Sequence, residues 1–316
     1  MDRIVSVIMS VFNETESELR MAIDSVLKQT FSEFEFIIVC DNPNNELIAT
    51  ILKEYENADQ RVKIVWNTEN MGLALSLNEG IRVSKGDYII RMDADDVCLQ
   101  DRFEKQIRLM QTEQYDLIWS SYEFIDENGI RLNESVNYYQ DEMIKKVLPL
   151  ENIIHHPTVI MRRDAVSKAG MYRKFPCAQD YDLWLRMFEN GCQMHMMKDS
   201  LLLYRVRRSS ITNKRKYQQL CTLDYIRYIT RVRRKKGKDI YSYNGYLDYI
   251  KKLGVGNKEI ETNFELAREF VSQGKNKIKS NNFFVGILCF VKGMYVSKFY
   301  RKQVLLTLRR NWVKRS

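Results

Sequence analysis

Short apolar runs alternate with amphipathic stretches along the first hundred residues. The apolar runs predict strands at about residues 4–9, 34–39, 62–66 and 87–92. Between them, apolar residues spaced three and four apart predict helices over about 17–29, 47–57 and 73–83. Strands that alternate with helices in this way are typical of an α/β domain with a mostly parallel central sheet and crossover helices.

The pattern becomes less regular after residue 100 and predominantly helical after residue 215. Residues 101–110 and 180–189 predict helices, and residues 117–120 and 158–161 predict strands. Residues 215–316 carry 24 Lys and Arg against 7 Asp and Glu, a net charge of +17, whereas residues 1–214 carry −8. We therefore predict a catalytic domain over 1–214, with halves at about 1–100 and 101–214, and a basic helical region over 215–316 that meets an anionic surface.

Residues 283–291 form the longest apolar run of the chain. The run is too short to cross a bilayer, which needs roughly 20 residues. Its composition predicts a helix that faces a protein core, whereas the basic residues that follow favour a helix lying in a membrane interface. Both interpretations stay open at this point.

The six cysteines form no Cys-x-x-Cys pair and no metal-ligand spacing with the three histidines. This usage predicts free thiols in a reducing compartment. The amino-terminal residues lead directly into a strand and show no signal-peptide pattern. We expect a cytoplasmic protein that lies peripherally on the inner face of the membrane through its basic region.

Three carboxylates are crowded into residues 93–96 directly after a predicted buried strand. Asp93, Asp95 and Asp96 repel one another and resist desolvation, so a divalent cation is the expected neutralising partner. Oxygen ligands at the carboxyl end of a strand suit Mg²⁺ or Mn²⁺ carrying a phosphate. Capping of the following helix by Asp96 is the simpler alternative.

Five separated segments resemble, in matching order, the inverting family 2 glycosyltransferases. They are residues 5–13, 37–42, 70–81, 86–96 and 179–186, and the resemblance covers about residues 4–210. It implies the GT-A fold of nucleotide-diphospho-sugar transferases, with a helical extension behind it. It also implies transfer of one sugar from a nucleotide-sugar donor, most often a uridine diphosphate sugar, to a hydroxyl of a glycan or lipid-linked acceptor during synthesis of a cell-surface polysaccharide.

The resemblance also assigns roles to the residues of the nucleotide half. A base and ribose contact is implied for the loop after the first strand and for the residue that ends the second; these are Val11, Phe12, Asn13, Glu14 and Asp41. Asn70 and Gly72 match the loop beside the diphosphate. Asp95 matches the direct metal ligand, Asp93 a ribose or water-mediated ligand, and Ala94 lies between them. The chain has Leu77 where the family often has an arginine, so that phosphate contact is absent.

In the second half, Asp180 matches the general base of the family. A carboxylate beside the anomeric carbon takes the proton of the attacking acceptor hydroxyl. Gln179 stands where the family usually has Glu, and Asp182 is expected to support the base. His156 is implied to line the sugar pocket, whereas His195 is expected to be structural. Helix capping by Asp180 stays an alternative that is compatible with catalysis.

Two other classes of protein fit parts of the sequence. Asp93-x-Asp95 after an apolar strand also fits the nucleophile motif of haloacid-dehalogenase-like phosphatases, although three predicted strands precede it here. The basic tail with its tyrosines fits a nucleic-acid-binding protein, but no DNA- or RNA-binding motif accompanies it, and we expect no nucleic-acid partner. Gly254-Val255-Gly256 lacks the third glycine of a dinucleotide-binding fingerprint.

Overall fold

The computed structural model describes residues 5–132, 136–206 and 216–315, with the side chain of the last residue left out. One eight-stranded mixed sheet organises the first part of the chain. Its strands are β1 (Val5–Val11), β2 (Phe34–Cys40), β3 (Val62–Trp66), β4 (Tyr88–Asp93), β5 (Val97–Cys98), β6 (Leu117–Ile125), β7 (Val159–Arg162) and β8 (Met194–Arg205). Their order across the sheet is β3-β2-β1-β4-β7-β6-β8-β5.

The helices of this part alternate with the strands up to β4, as the sequence pattern predicts, but not beyond it. They are α1 (Glu16–Leu27), α2 (Glu46–Ala58), α3 (Leu73–Val83), α4 (Arg102–Thr112), α5 (Asp141–Val147), α6 (Arg163–Lys168) and α7 (Gln179–Glu189). A short 3₁₀ turn, His156–Thr158, precedes β7. The predicted α/β class with a GT-A-like sheet and a helical extension is confirmed.

The parallel pairing of β1, β2 and β4 brings the ends of these strands to one edge of the sheet. Val11 lies opposite Cys40, and Ser10 lies opposite Asp93. The loop after β1, the residue after β2 and the acidic residues after β4 therefore meet at the same edge. The second half differs from the first, because β7 pairs antiparallel with both β4 and β6, and β5 pairs antiparallel with β8.

Tight packing of α3 against the sheet fixes the position of the loop that precedes this helix. A Cβ on Gly80 would lie 2.6 Å from Cγ2 of Ile8 in β1, so any larger residue would push the helix outward. Asn78 donates to the carbonyl of Tyr172 at 2.8 Å and accepts from its N–H at 2.9 Å. Glycine and asparagine at these positions therefore hold α3 against both halves of the sheet domain.

The structure contains two compact units. Among the described residues, the first unit comprises those up to Lys145 and those from Asn152 to 206, and the second comprises Lys146–Glu151 and those from 216 onward. The predicted boundary between residues 214 and 215 lies outside the described residues, so the domain limits stay a prediction.

The second unit is helical, as the sequence pattern predicts. Its helices are α8 (Lys216–Lys236), α9 (Tyr243–Lys252), α10 (Lys258–Lys279), α11 (Phe283–Val296) and α12 (Lys298–Arg315). One face of α8 buries Tyr217, Cys221, Tyr225 and Ile229, whereas Tyr228 is exposed. Gly237, with φ of +63°, follows directly after α8.

The prediction that the apolar run at 283–291 faces a core is wrong. In α11 only the two glycines, Gly286 and Gly293, are buried, and most of the large apolar residues are exposed. The physical reason is that α11 contacts α10 mainly through its glycines and Phe290, which leaves most of the large side chains on the opposite face. None of the helices in the described parts of the chain combines the length and the apolarity that crossing a bilayer requires.

Candidate active site

The acidic residues after β4 lie close together at the edge of the sheet. Asp93 ends β4, and carboxylate oxygens of Asp93, Asp95 and Asp96 lie within 4.8 Å of one another. Asp93 and Asp95 are partly exposed, whereas Asp96 is fully buried. The sequence prediction that these three side chains form one cluster is confirmed.

Asp96 is the buried member of this cluster. Its Oδ1 accepts the backbone N–H of Arg205 at 2.9 Å, and no group among the described residues donates a hydrogen bond to its Oδ2. Burial, together with the charges of Asp93 and Asp95, holds the pKa of Asp96 well above its usual range. A buried carboxylate oxygen without a donor beside two further carboxylates fits a divalent cation with oxygen ligands.

Arg205 holds the backbone around the acidic cluster. Its guanidinium donates to the carbonyls of Asp95 at 2.8 Å, Asp126 at 3.2 Å and Glu127 at 3.1 Å, and its side chain is almost fully buried. Arg205 therefore has a positioning role, because it joins the end of β8 to the acidic turn that follows β4.

Arg91 is a residue of the site that sequence reasoning missed. It lies in β4 two positions before Asp93, forms an ion pair with that carboxylate and has only 3% of its side chain exposed. Its Nε and Nη1 have no acceptor among the described residues. The available signal was an arginine within an apolar strand, on the same strand face as Asp93, because residues two apart share a face.

Asp41 organises the loop beside the expected diphosphate. Its Oδ1 accepts from Asn67 at 2.7 Å and from the N–H of Met71 at 2.8 Å, and its Oδ2 accepts the N–H of Gly72 at 2.9 Å. Asn70 also accepts the N–H of Gly72, at 3.0 Å. Asp41 is therefore a buried anchor of the loop, and its contact with a base or ribose stays a prediction.

The loop after β1 places Glu14 next to the acidic cluster. Oε2 of Glu14 accepts the N–H of Phe12 at 2.8 Å, and Asn42 donates to the carbonyl of Phe12 at 3.0 Å. Burial raises the pKa of Glu14 to about 7, and the charges of Asp95 and Asp93 contribute in the same direction. Thr15 then caps the start of α1: its side chain accepts the N–H of Glu18, and the side chain of Glu18 accepts the N–H of Thr15. This pair of hydrogen bonds fixes where the loop ends.

The other predicted nucleotide-binding residues of these two loops differ in exposure. Phe12 and Asn13 are exposed at the edge of the sheet and are available to a ligand. The side chains of Val11 and Ala94 are buried, so only their backbone can face one. The carbonyl of Val11 already accepts the N–H of Asp41 at 2.8 Å.

Asp180 lies in the first turn of α7. The residue before this helix, Ala178, has φ of +57°, a left-handed conformation that favours glycine and is retained only where the surroundings enforce it. Asn152 donates to Oδ2 of Asp180 at 2.8 Å. Burial raises the pKa of Asp180, whereas the Asn152 hydrogen bond lowers it. A partly buried carboxylate with a raised pKa suits proton abstraction.

Buried ion pairs fix the orientation of α7. Asp182 is fully buried and accepts from Arg186 at 2.9 Å, and the guanidinium of Arg186 also donates to the carbonyls of Ala169 and Met171. Asp182 therefore anchors α7 through Arg186, and its expected support of Asp180 stays a prediction. Tyr172 directly follows Met171 in the chain. Burial raises the pKa of Tyr172, and the charges of Asp180 and Asp93 contribute in the same direction.

The adjacent histidines have different surroundings. Nε2 of His156 lies 2.8 Å from the hydroxyl of Tyr172, and its ring is buried against Trp184, so its contact with a sugar stays a prediction. His155 stacks on Tyr122 at 4.0 Å, and its Nε2 has no partner among the described residues. Burial lowers the pKa of His155 to about 4 and that of His156 well below its usual range, so both rings are neutral at pH 7.

His195 has the structural environment that the sequence predicted. Its Nδ1 lies 2.8 Å from a carboxylate oxygen of Asp141, and its ring stacks on Tyr115 at 4.8 Å. It therefore links β8 to α5, at a distance from the acidic edge of the sheet.

The sheet domain combines a cluster of three carboxylates at one edge with a separate carboxylate, Asp180, in the first turn of α7. Residues 6–170 match the family model described as glycosyl transferase family 2. An uncharacterised glycosyltransferase of Methanocaldococcus jannaschii is 37% identical over 220 residues, which cover 69% of this chain and 76% of that protein. The O-antigen biosynthesis glycosyltransferase WbnJ of Escherichia coli is 36% identical over 65% of this chain and 81% of its own length.

Solved structures show the same fold. The crystal structure of S. aureus TarS 1–349 in complex with UDP-GlcNAc has a TM-score of 0.59 at 14% identity, over 95% of this chain and 92% of that one. A longer TarS structure has a TM-score of 0.57, and this chain covers 42% of it. The chain belongs to glycosyltransferase family 2 and is a glycosyltransferase of GT-A fold. Membership of this family decides against the phosphatase alternative.

Proposed function

We propose that this glycosyltransferase moves a single sugar, with inversion, from a UDP-sugar to a hydroxyl of a glycan or of a lipid-linked acceptor. The observation that carries the proposal is the pairing of two different carboxylate environments on one sheet domain. Asp93, Asp95 and Asp96 form a cluster suited to a cation, and Asp180 is a separate carboxylate with a raised pKa. Donor binding and proton abstraction need these two environments.

The donor is bound at the edge of the sheet in this proposal. Phe12 and Asn13 contact the base and ribose, the loop anchored by Asp41 lies along the diphosphate, and Asp93 and Asp95 hold Mn²⁺ or Mg²⁺. The ion, when bound, offsets the negative charge that develops on the departing diphosphate. The TarS structures with UDP and UDP-GlcNAc support a uridine nucleotide, since they share this fold.

Asp180 is the general base in this proposal. Its ionised carboxylate accepts the proton of the acceptor hydroxyl as the oxygen attacks the anomeric carbon on the face opposite the diphosphate. Asn152 stabilises the ionised form through its hydrogen bond, and Arg91 contributes a favourable positive charge. Burial opposes both effects and keeps the carboxylate basic enough to take the proton.

The names of related proteins support an acceptor in cell-surface polysaccharide synthesis. Relatives include enzymes of O-antigen, amylovoran and teichuronic acid biosynthesis. We extend this to the present chain as part of the proposal, together with action at the inner face of a membrane. A growing glycan carried on a lipid would present its hydroxyl there.

Donor hydrolysis followed by proton NMR tests the proposal. The purified protein is incubated with a panel of α-linked nucleotide-sugars and Mn²⁺, and water replaces the acceptor. We expect hydrolysis of a UDP-sugar with the β-anomer formed first, and no hydrolysis by Asp180→Asn, which still binds UDP. Formation of the α-anomer first, or hydrolysis by Asp180→Asn at the wild-type rate, would refute the proposed mechanism.

A further inference from the structure

One face of α11 presents large apolar side chains to solvent. The members of this outer stripe are spaced three, four and seven residues apart and are 45–88% exposed; they are Phe284, Ile287, Leu288, Val291 and Tyr295. Such spacing places them on one side of a helix. On a helix that only has to be soluble, this side would carry polar residues.

The opposite side of α11 packs through glycines. A Cβ on Gly293 would lie 2.8 Å from the carbonyl of Ala267, and one on Gly286 would lie 3.0 Å from the carbonyl of Gly274. The backbones of α10 and α11 therefore approach closely, as they do between helices that pack in lipid. A helix that buries glycine and exposes Phe, Ile, Leu, Val and Tyr has its apolar surface directed away from its own protein.

The charge around this stripe selects among possible occupants. Residues 283–315 contain eight Lys and Arg and no Asp or Glu. Three of these cations pair with carboxylates of the same unit: Lys302 with Asp224, and Arg310 and Lys314 with Glu151. Lys292, Lys298, Arg301 and Arg309 are also exposed. Two copies meeting through this region would bring like charges together, whereas an anionic lipid surface would neutralise them.

A second apolar face on the neighbouring helix points to the same occupant. Leu305, Leu308 and Trp312 of α12 are 59%, 59% and 70% exposed and are spaced three and four residues apart. Tryptophan is favoured at the boundary between lipid and water, because its ring is apolar and its N–H is polar. Apolar burial and cationic attraction together are the two signals that stable peripheral binding requires.

We propose that α11 lies in the interfacial layer of an anionic bilayer, with its outer stripe among the acyl chains and the exposed cations at the headgroups. The proposal rests on the second unit alone and holds whatever sugar the enzyme transfers. It names the residues through which an acceptor carried on a lipid would be brought to the enzyme.

Sedimentation with lipid vesicles tests the proposal on the full-length protein. The vesicles contain either phosphatidylcholine alone or phosphatidylcholine mixed with phosphatidylglycerol. We expect partitioning onto the mixed vesicles, and a fall of at least about tenfold for the double variant Phe284→Gln/Leu288→Gln, which removes apolar area from the stripe. Leu47→Gln, at a 50% exposed leucine of α2, is the matched control and should partition like wild type.

Charge variants separate the two contributions. Lys298→Gln and Arg301→Gln should each weaken binding to the mixed vesicles by about fivefold. Equal binding by wild type and the double variant would overturn the proposal. A second result would also overturn it: wild type does not bind vesicles but forms a dimer, and the double variant is a monomer. The stripe would then be an interface between copies. Donor hydrolysis by the double variant should match wild type, so failure here is distinguishable from failure of the proposed activity.

Discussion

Replacing Asn152 tests whether Asp180 acts as the base. Asn152→Ala removes the N–H that donates to Asp180 at 2.8 Å and so removes a hydrogen bond that stabilises the ionised carboxylate. A hydrogen bond to a charged group contributes about 1.5–3 kcal/mol. One pKa unit corresponds to about 1.4 kcal/mol. We therefore expect the pKa of Asp180, already raised by burial, to rise by a further one to two units, approximately.

The assay is the pH dependence of kcat/KM for donor hydrolysis, which reports the base in the free enzyme. A base must be ionised to act, so activity is lost as pH falls through its pKa. In the plot of kcat/KM against pH, a higher pKa of the base moves the acidic limb, where activity falls, to higher pH. The plateau at higher pH stays nearly unchanged. The control is Asn190→Ala, because Asn190 lies at the end of α7 but donates to the carbonyl of Lys168 at 3.4 Å; this variant should leave the pH dependence unchanged. A limb that stays in place in Asn152→Ala would refute the role of Asp180.

Three further predictions concern the nucleotide half of the site. Gly72→Ala meets no atom within 4 Å, but φ of +81° disfavours alanine, so we expect a cost of about 1–3 kcal/mol in unfolding and a raised KM for the donor. Gly191→Ala has similar φ and open space and should cost stability without changing KM. Asp93→Asn should lower the free energy of unfolding by about 3 kcal/mol, measured in urea, because it leaves buried Arg91 without its ion pair. Asp95→Asn should abolish turnover and leave the free energy of unfolding near that of wild type. A loss of stability as large as that of Asp93→Asn would contradict this difference between the two carboxylates.

The first half of the fold was predictable because its elements have strong periodicity. The strand at 62–66 and the helix at 73–83 have the predicted bounds, and the other early strands and helices differ by one or two residues at their ends. The sheet order after β4 was not predictable. Pairing of β7 between β4 and β6 depends on contacts between distant segments, which local patterns do not encode.

The site was predictable where chemistry is concentrated in sequence and unpredictable where it is assembled in space. The Asp93–Asp96 turn forms the expected cluster because its members are neighbours in the chain. Asn152 lies 28 residues before Asp180, and Arg205 lies 109 residues after Asp96, so only the folded chain brings each pair together. Loop anchoring by Asp41 also depends on a distant segment.

The wrong prediction for α11 has a different cause. A run of apolar residues has the same composition whether it faces a core or a lipid surface, so hydropathy alone does not distinguish the two. The distinguishing signal was the spacing of Gly286 and Gly293, seven residues apart on one helical face. That spacing identifies the side on which the helix backbone packs closely against its neighbour.

Isothermal titration of UDP in the presence and absence of Mn²⁺ tests the central claim, that the carboxylates after β4 bind a divalent cation against a diphosphate. We expect tight UDP binding by wild type only with Mn²⁺, loss of this dependence in Asp95→Asn, and its retention in Asp180→Asn. UDP binding of equal affinity with and without Mn²⁺, or Mn²⁺-dependent binding by Asp95→Asn at wild-type affinity, would contradict the account.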